Sequence, residues 1–283
     1  MAAPTTSRAL LLKRSPYGET SLVVQVLTRE HGLVSMLARG AYRPTSRFFA
    51  VLDLFDTLEL EWRPRRTSDL ALLVSGDRRI LRRQIPRDLE AYRAALAALE
   101  AGLFAARPGV ADHELFDLLE STLDRLDAAP RGADLELIVF DLRFLASQGL
   151  APALEACASC GRPAPVPHDP HEKTAFSAER GGRLCRPCAL AARAEGARVG
   201  LLPAQVLVAA ALMGREGASA LADRGLESLR AAVRDFVERF LEYHLERRPK
   251  ARRRLPRPRR RAGSRAEPIA DDHAERPHDL PAS

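Results

Sequence analysis

Two pairs of cysteines carry the sharpest chemical signal in this sequence. Cys157-Ala-Ser-Cys160 and Cys185-Arg-Pro-Cys188 each set two thiols two residues apart, with 24 residues between the pairs. Two thiolates at that spacing in a tight turn can bite one tetrahedral ion, and a second such turn completes the shell. Gly161 follows the first pair, where the turn needs an unusual backbone conformation, and Gly181-Gly182 precede the second, where the chain can come close to the first. The pattern predicts one zinc ion held by Cys157, Cys160, Cys185 and Cys188. Four sulfur ligands close the shell, so the ion is expected to be structural; a catalytic zinc keeps a position open for water. A redox role would need only one of the pairs. His168 and His171 are alternative ligands, but they stand among Pro165, Pro167 and Pro170 in what reads as a solvated loop.

A second set of residues suits a polyanion. Arg39, Arg43 and Arg47 recur at a spacing of four, with Gly40 to turn the backbone and Tyr42 and Phe48 interleaved. Cations beside an exposed ring can hold phosphates while a base stacks. Arg39, Arg43 and Tyr42 are the expected contacts, Arg47 extends them, and Lys13 and Arg14 can widen the patch. Phe48 and Phe49 are read as core. Arg65 and Arg66 fall in a turn where simple solvation explains them equally well.

Signatures of catalysis are missing. There is no G-x-x-x-x-G-K-S/T phosphate loop and no H-E-x-x-H, and the acidic residues form no cluster suited to two metal ions. His31 and His244 read as structural. The expectation is a protein that is not an enzyme.

The elements that must position these residues divide along the chain. Leu10–Lys13, Thr20–Thr28, Leu33–Arg39, Val51–Arg63 and Leu70–Val74 read as five short strands, with breaks at 15–18, 31–32 and 64–68. In the fourth, Leu52, Leu54, Leu58, Leu60 and Trp62 share one face, and Phe55 is an exception on the other. Five short strands suit a small barrel of the OB type. After Pro86 the apolar spacing becomes helical: Leu89, Tyr92, Leu96 and Leu99, then Leu115 to Leu126, then Leu135 to Leu150, and again from Pro203 to Met213 and Leu226 to Leu245. The expected organisation is a barrel over 1–80, a helical domain over 81–246 with a metal-binding element at 151–190 inserted, and a disordered Arg/Pro-rich tail over 247–283.

Charge follows the same division. Residues 1–80 hold 12 basic and 8 acidic side chains, 81–246 hold 20 and 24, and 247–283 hold 12 and 5. The folded body is therefore neutral overall, and the tail's excess equals the whole net +7. A basic arm of this kind can add nonspecific affinity for nucleic acid; an Arg-biased composition throughout the chain accounts for it equally well. No apolar run approaches the roughly 20 residues a bilayer span needs. With no signal peptide in view and cysteines in metal-type pairs, a cytoplasmic protein is expected.

Several of these residues stand in an order that resembles a known family. Arg14, Gly18-Glu19, Leu27 to Gly32, Ala38 to Arg43, Ser46 and Leu54-Phe55 are similar to the N-terminal domain of RecO DNA-repair proteins. Gly149 to Pro152, the first cysteine pair with Gly161, Phe176-Ser177, Gly181-Gly182, the second cysteine pair and Tyr243-His244 resemble its C-terminal part. Arg39 stands where the family often has Lys, and the Arg/Pro tail lies outside the family pattern. The resemblance implies an OB-fold, a helical domain and a zinc element. It also implies binding to single- and double-stranded DNA, annealing of complementary strands, and partnership with RecR and single-strand-binding protein in loading the RecA recombinase, at the nucleoid. A zinc-ribbon transcription regulator is the alternative from another class.

Overall fold

The computed structural model describes residues 3–65, 68–169 and 171–245. β1 (Thr5–Tyr17), β2 (Ser21–Thr28) and β3 (Gly32–Ala38) run as a meander; a short helix α1 (Arg47–Val51) then leads to β4 (Thr57–Arg65) and β5 (Ser68–Ile80). The strands close in the order β1-β2-β3-β5-β4, with β4 returning antiparallel to β1 and β3 meeting β5 in parallel. This is the five-stranded OB-fold barrel that the strand count suggested.

Strand β1 explains why its sequence does not alternate. Ala9 and Leu11 fill the barrel with Leu22, Val24, Val26, Met36, Leu58, Leu60 and Trp62. Leu10 and Leu12 point the other way, into a second core shared with the helices, as Leu27 of β2 does. A strand buried on both faces needs apolar residues at every position. The register slips between Leu11 and Lys13, and the strand runs on to Tyr17, so the break falls at 18–20 rather than 15–18.

The fourth strand starts later than the alternation suggests. Residues Arg47–Val51 are helical, capped by Ser46, whose hydroxyl accepts from the Phe48 N–H. Phe55, the exception in the pattern, has φ +77, which no strand accommodates. Pairing begins only at Thr57. The last barrel strand is also longer, reaching Ile80.

Helices α2 (Leu89–Ala105), α3 (His113–Ala128) and α4 (Ala133–Ser147) follow, with α6 (Ala204–Glu216), α7 (Ala220–Asp223) and α8 (Arg230–His244) after the cysteine region. The expected stripe of α2 holds only in its second half, where Leu99 is buried and Leu96 packs against the core. Leu89 is 62 % exposed and Tyr92 is partly exposed, whereas Ala91, Ala94, Ala95, Ala97, Ala98, Ala101 and Gly102 are buried. The packing is tight at Gly102, where a Cβ would stand 2.6 Å from Leu119 Cδ1. Within the cysteine region, β6 (Lys173–Ser177) lies between β7 (Gly182–Leu184) and β8 (Gly200–Pro203), with α5 (Arg186–Ala194) beside them. Phe176 of β6 meets Phe236 and Phe240 of α8 edge-on, at 5.1 and 5.8 Å, which ties this element to the helices.

Barrel and helices meet across a polar seam. The Arg82 side chain, 1 % exposed, donates to the Phe55 carbonyl at 2.6 Å, to Thr57 Oγ1 at 3.2 Å and to Asp124 Oδ1 at 2.9 Å. Its own N–H donates to Asp56 Oδ1 at 2.8 Å. Arg8 of β1 bonds Glu120, Arg29 bonds Asp117, and both guanidinium groups lie over the Phe116 ring. Asp127 closes the row by accepting from the N–H groups of Gln84 and Ile85. Asp117, Glu120, Asp124 and Asp127 sit at spacings of three and four, so α3 presents one acidic stripe to the barrel. Close approach is needed here too: a Cβ on Gly32 would lie 2.1 Å from the Val110 carbonyl oxygen.

Candidate metal centre and nucleic-acid interface

The four cysteines converge. Their sulfurs all lie within 4.8 Å of one another, and the Cys160 and Cys185 sulfurs are 3.7 Å apart. Sulfurs about 2.3 Å from a tetrahedral zinc would stand about 3.8 Å apart, so the cage is the right size for such an ion. Local backbone geometry builds it. Gly161, at φ +71, donates its N–H to the Cys157 carbonyl and closes the first turn. Gly182 lets the second pair approach: a Cβ there would meet the Ala153 carbonyl oxygen at 2.5 Å. The second pair opens α5, with Cys185 as its N-cap residue.

The thiols are not equivalent. Burial pushes the Cys157 thiol up, but N–H donors from Cys185, Cys160 and Ser159 outweigh it and bring the group down to about 6. Cys188 is pushed up to about 12, chiefly by hydrogen bonds with the Cys185 and Cys160 sulfurs. Four thiols so crowded share protons unevenly, and a metal ion would replace those protons with its own charge. Leu184, Ala189, Ala192 and Ala197 pack beneath the cage, and Cys157 is buried among them. His168 and His171 are exposed and stand outside the cluster.

The basic residues singled out in the sequence gather at one end of the barrel. The Tyr42 N–H donates to the Thr20 carbonyl and the Gly40 N–H to Ser21 Oγ, so the segment after β3 lies against the β1–β2 turn. Arg39, Tyr42, Arg43 and Arg47 are all exposed, and the Arg43 side chain folds over Gly40. Arg47 is partly engaged: it donates to the Val74 carbonyl at 2.8 Å and its guanidinium lies over the Phe48 ring. Phe48 itself is buried.

Lys13 and Arg14 separate. Lys13 pairs with Gln25 and Arg14 with Val24, a barrel-core residue. Neighbours on a strand face opposite sides, so Lys13 is on the outer surface. Arg14 is at the mouth, 3.4 Å from the Leu52 carbonyl. Arg65 is exposed at the β4–β5 turn, while Arg66 and the tail from Arg247 lie outside the described residues. His31 meets Trp62 edge-on at 5.4 Å, and His244 packs on Phe240. No helix among the described residues is long and apolar enough to cross a membrane.

The arginines at 78–87 drew no attention in the sequence, because in a line they read as a solvated strand end. Arg78, Arg82, Arg83 and Arg87 line one cleft at the junction of barrel and helices, with Asp53, Asp56, Leu81 and Pro86. The charge run itself was visible; its enclosure was not.

Comparison with known proteins matches both halves of the chain. Residues 1–77 match the family described as Recombination protein O N terminal, and residues 86–253 match Recombination protein O C terminal. A protein of Anaeromyxobacter dehalogenans (strain 2CP-C) named DNA repair protein RecO is 40 % identical over 258 residues, covering 87 % of this chain and 93 % of the relative. The protein of the same name from Myxococcus xanthus is 34 % identical over 247 residues, covering 86 % and 93 %. That of Rubrobacter xylanophilus is 34 % identical over 182 residues, covering 64 % and 70 %.

Proposed function

The chain belongs to the RecO family of DNA repair proteins, and from that premise we propose that its barrel binds DNA and anneals complementary strands. Lys13, Arg14, Arg39, Tyr42, Arg43 and Arg47 are the proposed contacts. The observation that carries this reading is the gathering of Arg39, Tyr42, Arg43 and Arg47 at one end of an OB barrel, with Arg39 and Arg43 exposed and a ring between them. Their cations neutralise phosphates and release counterions, so binding weakens as salt rises. Tyr42, 45 % exposed, offers a face on which a base stacks. Annealing then requires no reacting side chain. Two strands brought to a cationic surface repel each other less, and base pairing supplies the driving force.

The proposed organisation has three parts: the barrel over 1–80, the helical body over 81–246 and the tail over 247–283. Single- and double-stranded DNA are the substrates, RecR and single-strand-binding protein the partners, and loading of the RecA recombinase in the cytoplasm, at the nucleoid, is the outcome. Cys157, Cys160, Cys185 and Cys188 would hold one zinc ion, which supplies cross-linking of the two turns rather than chemistry on a substrate. What the chain contributes is a shaped cage, a small apolar floor and the Phe176 anchor to α8.

The test is annealing of complementary oligonucleotides by the wild type, by Arg39→Ala/Arg43→Ala and by a chain ending at Arg247. The double variant should anneal poorly and the truncated chain should retain activity. The opposite pattern would move the main site from the barrel to the tail. Metal analysis of the purified protein should give about one zinc per chain, falling when Cys160→Ser removes one of four ligands.

A further inference from the structure

We infer that the cleft between the barrel and the 81–87 segment is a phosphate-binding site that carries a single DNA strand onward from the barrel mouth. The inference rests on the barrel reading above and extends it to a surface outside the barrel.

The cleft has a volume of about 370 Å³ and is lined by four arginines against two carboxylates. The two carboxylates leave the cleft net positive, and Asp53 forms no ion pair with its arginines among the described residues. Asp56 is buried and already accepts from the Arg82 N–H and from Arg78 Nη1. Arg82 is held in the seam. That leaves Arg83 and Arg87, both exposed and without an ion pair among the described residues. Their backbone is fixed independently of their side chains, because Asp127 holds the N–H groups of Gln84 and Ile85. Two unpaired guanidinium groups on a fixed turn offer donors to phosphate oxygens.

The cleft also lies on a path from the barrel mouth. Helix α1 starts at Arg47, which is bonded to the Val74 carbonyl of β5, and the chain continues through Leu52 to Asp53 on the cleft wall. Along β5, Val74 and Arg78 are four residues apart, about 13 Å at about 3.3 Å per residue. Cations therefore recur from Arg39 and Arg43 through Arg47 to Arg78, Arg83 and Arg87. Tyr92 meets Phe55 edge-on at 5.3 Å, beside the carbonyl that binds Arg82, and is 36 % exposed. Phe55 precedes Asp56 of the cleft wall by one residue, so this ring stands near the cleft and can stack a base, as Tyr42 can at the mouth.

The test uses the full chain and labelled oligothymidylates of about 8 and about 24 nucleotides, short and long relative to what one OB barrel covers. Arg83→Ala/Arg87→Ala should bind the short probe as the wild type does. It should bind the long probe about ten-fold more weakly, with the log–log salt slope shallower by about 1.4 for two lost phosphate contacts. Its unfolding midpoint should be unchanged, since both side chains are exposed. Equal loss on both probes, or loss on neither, overturns the inference. Arg39→Ala/Arg43→Ala, measured in parallel, separates the two readings. If it binds both probes normally while the cleft variant loses the long one, the barrel reading fails and the cleft stands as a phosphate site. If it loses both while the cleft variant loses neither, the cleft alone is refuted.

Discussion

At one end of the barrel, Arg39 and Arg43 stand exposed with no ion pair among the described residues, while along its flank Arg8, Arg29 and Arg82 each meet an acid of α3. Both groups come from the first 82 residues and are one residue type. They differ in what the helical body places opposite them. The acidic stripe of α3 runs along one side of the barrel and neutralises whatever cation it reaches. The mouth faces no such stripe, so its positive charge stays available to a ligand. Net charge therefore says little about either surface: the chain is basic mainly in its tail, and the barrel mouth is basic because its counter-charges are elsewhere.

Replacing arginines from the two groups should give opposite results. The largest effect is expected for Arg82→Ala, which leaves the Phe55 carbonyl without its partner and a void in the seam. Unfolding free energy should fall by about 2–4 kcal/mol, with the affinity of the folded protein for the short, barrel-sized probe unchanged. Urea titration checks the first part and binding below the transition checks the second; a loss of affinity without a loss of stability would erase the distinction between the groups. Arg39→Ala/Arg43→Ala should do the reverse, keeping the urea midpoint while weakening DNA binding about ten- to a hundred-fold at low salt. Tyr42→Ala should cost about 1 kcal/mol of affinity for single strands and less for duplex, where bases are already stacked. Titration of both DNA forms against this variant reads that difference directly. Arg29→Ala breaks a pair whose side chains are 31 % and 52 % exposed, so its stability should change by less than about 1 kcal/mol.

The smallest effect concerns a group that solves burial differently. Arg82 is buried with hydrogen-bond partners on several sides, whereas His244 has a buried Nε2 with none among the described residues. Desolvation holds the His244 imidazole below its ordinary range, against a weaker opposing effect of its hydrogen bond with the Ala178 backbone. The unfolded chain therefore takes up the proton first as pH falls below about 6.5, and stability declines there. His244→Phe should flatten that decline in urea titrations between about pH 7.5 and 5.5. Coincident slopes would show that His244 does not titrate against folding.

The particular residues show why parts of the fold were legible and parts were not. The cysteine cage was readable because thiol chemistry and a two-residue spacing leave few alternatives. The five strands were countable because period two survives wherever one face meets solvent, as in Leu58, Leu60 and Trp62 against Glu59 and Glu61. The reading slipped where a residue's environment was set from outside its own element. Leu52 fills the barrel from the end of α1, so it imitated a strand position. In α2 Leu89 and Tyr92 face outward while Leu99 is buried among a run of alanines, because the closest contacts of the helix admit only small side chains.

By itself the sequence determined the metal-type cage, the barrel's strand count and the identities of the cations around its mouth. These depend on local spacing, which a chain carries without folding. Only the tertiary structure decided which arginines are free. It set the α3 stripe against Arg8, Arg29 and Arg82, buried the last of these, and left Arg83 and Arg87 exposed on the wall of a cleft shared with Asp53 and Asp56. The physical reason is that a charge's role depends on its nearest counter-charge and on its distance from water, and both are set by segments remote in sequence.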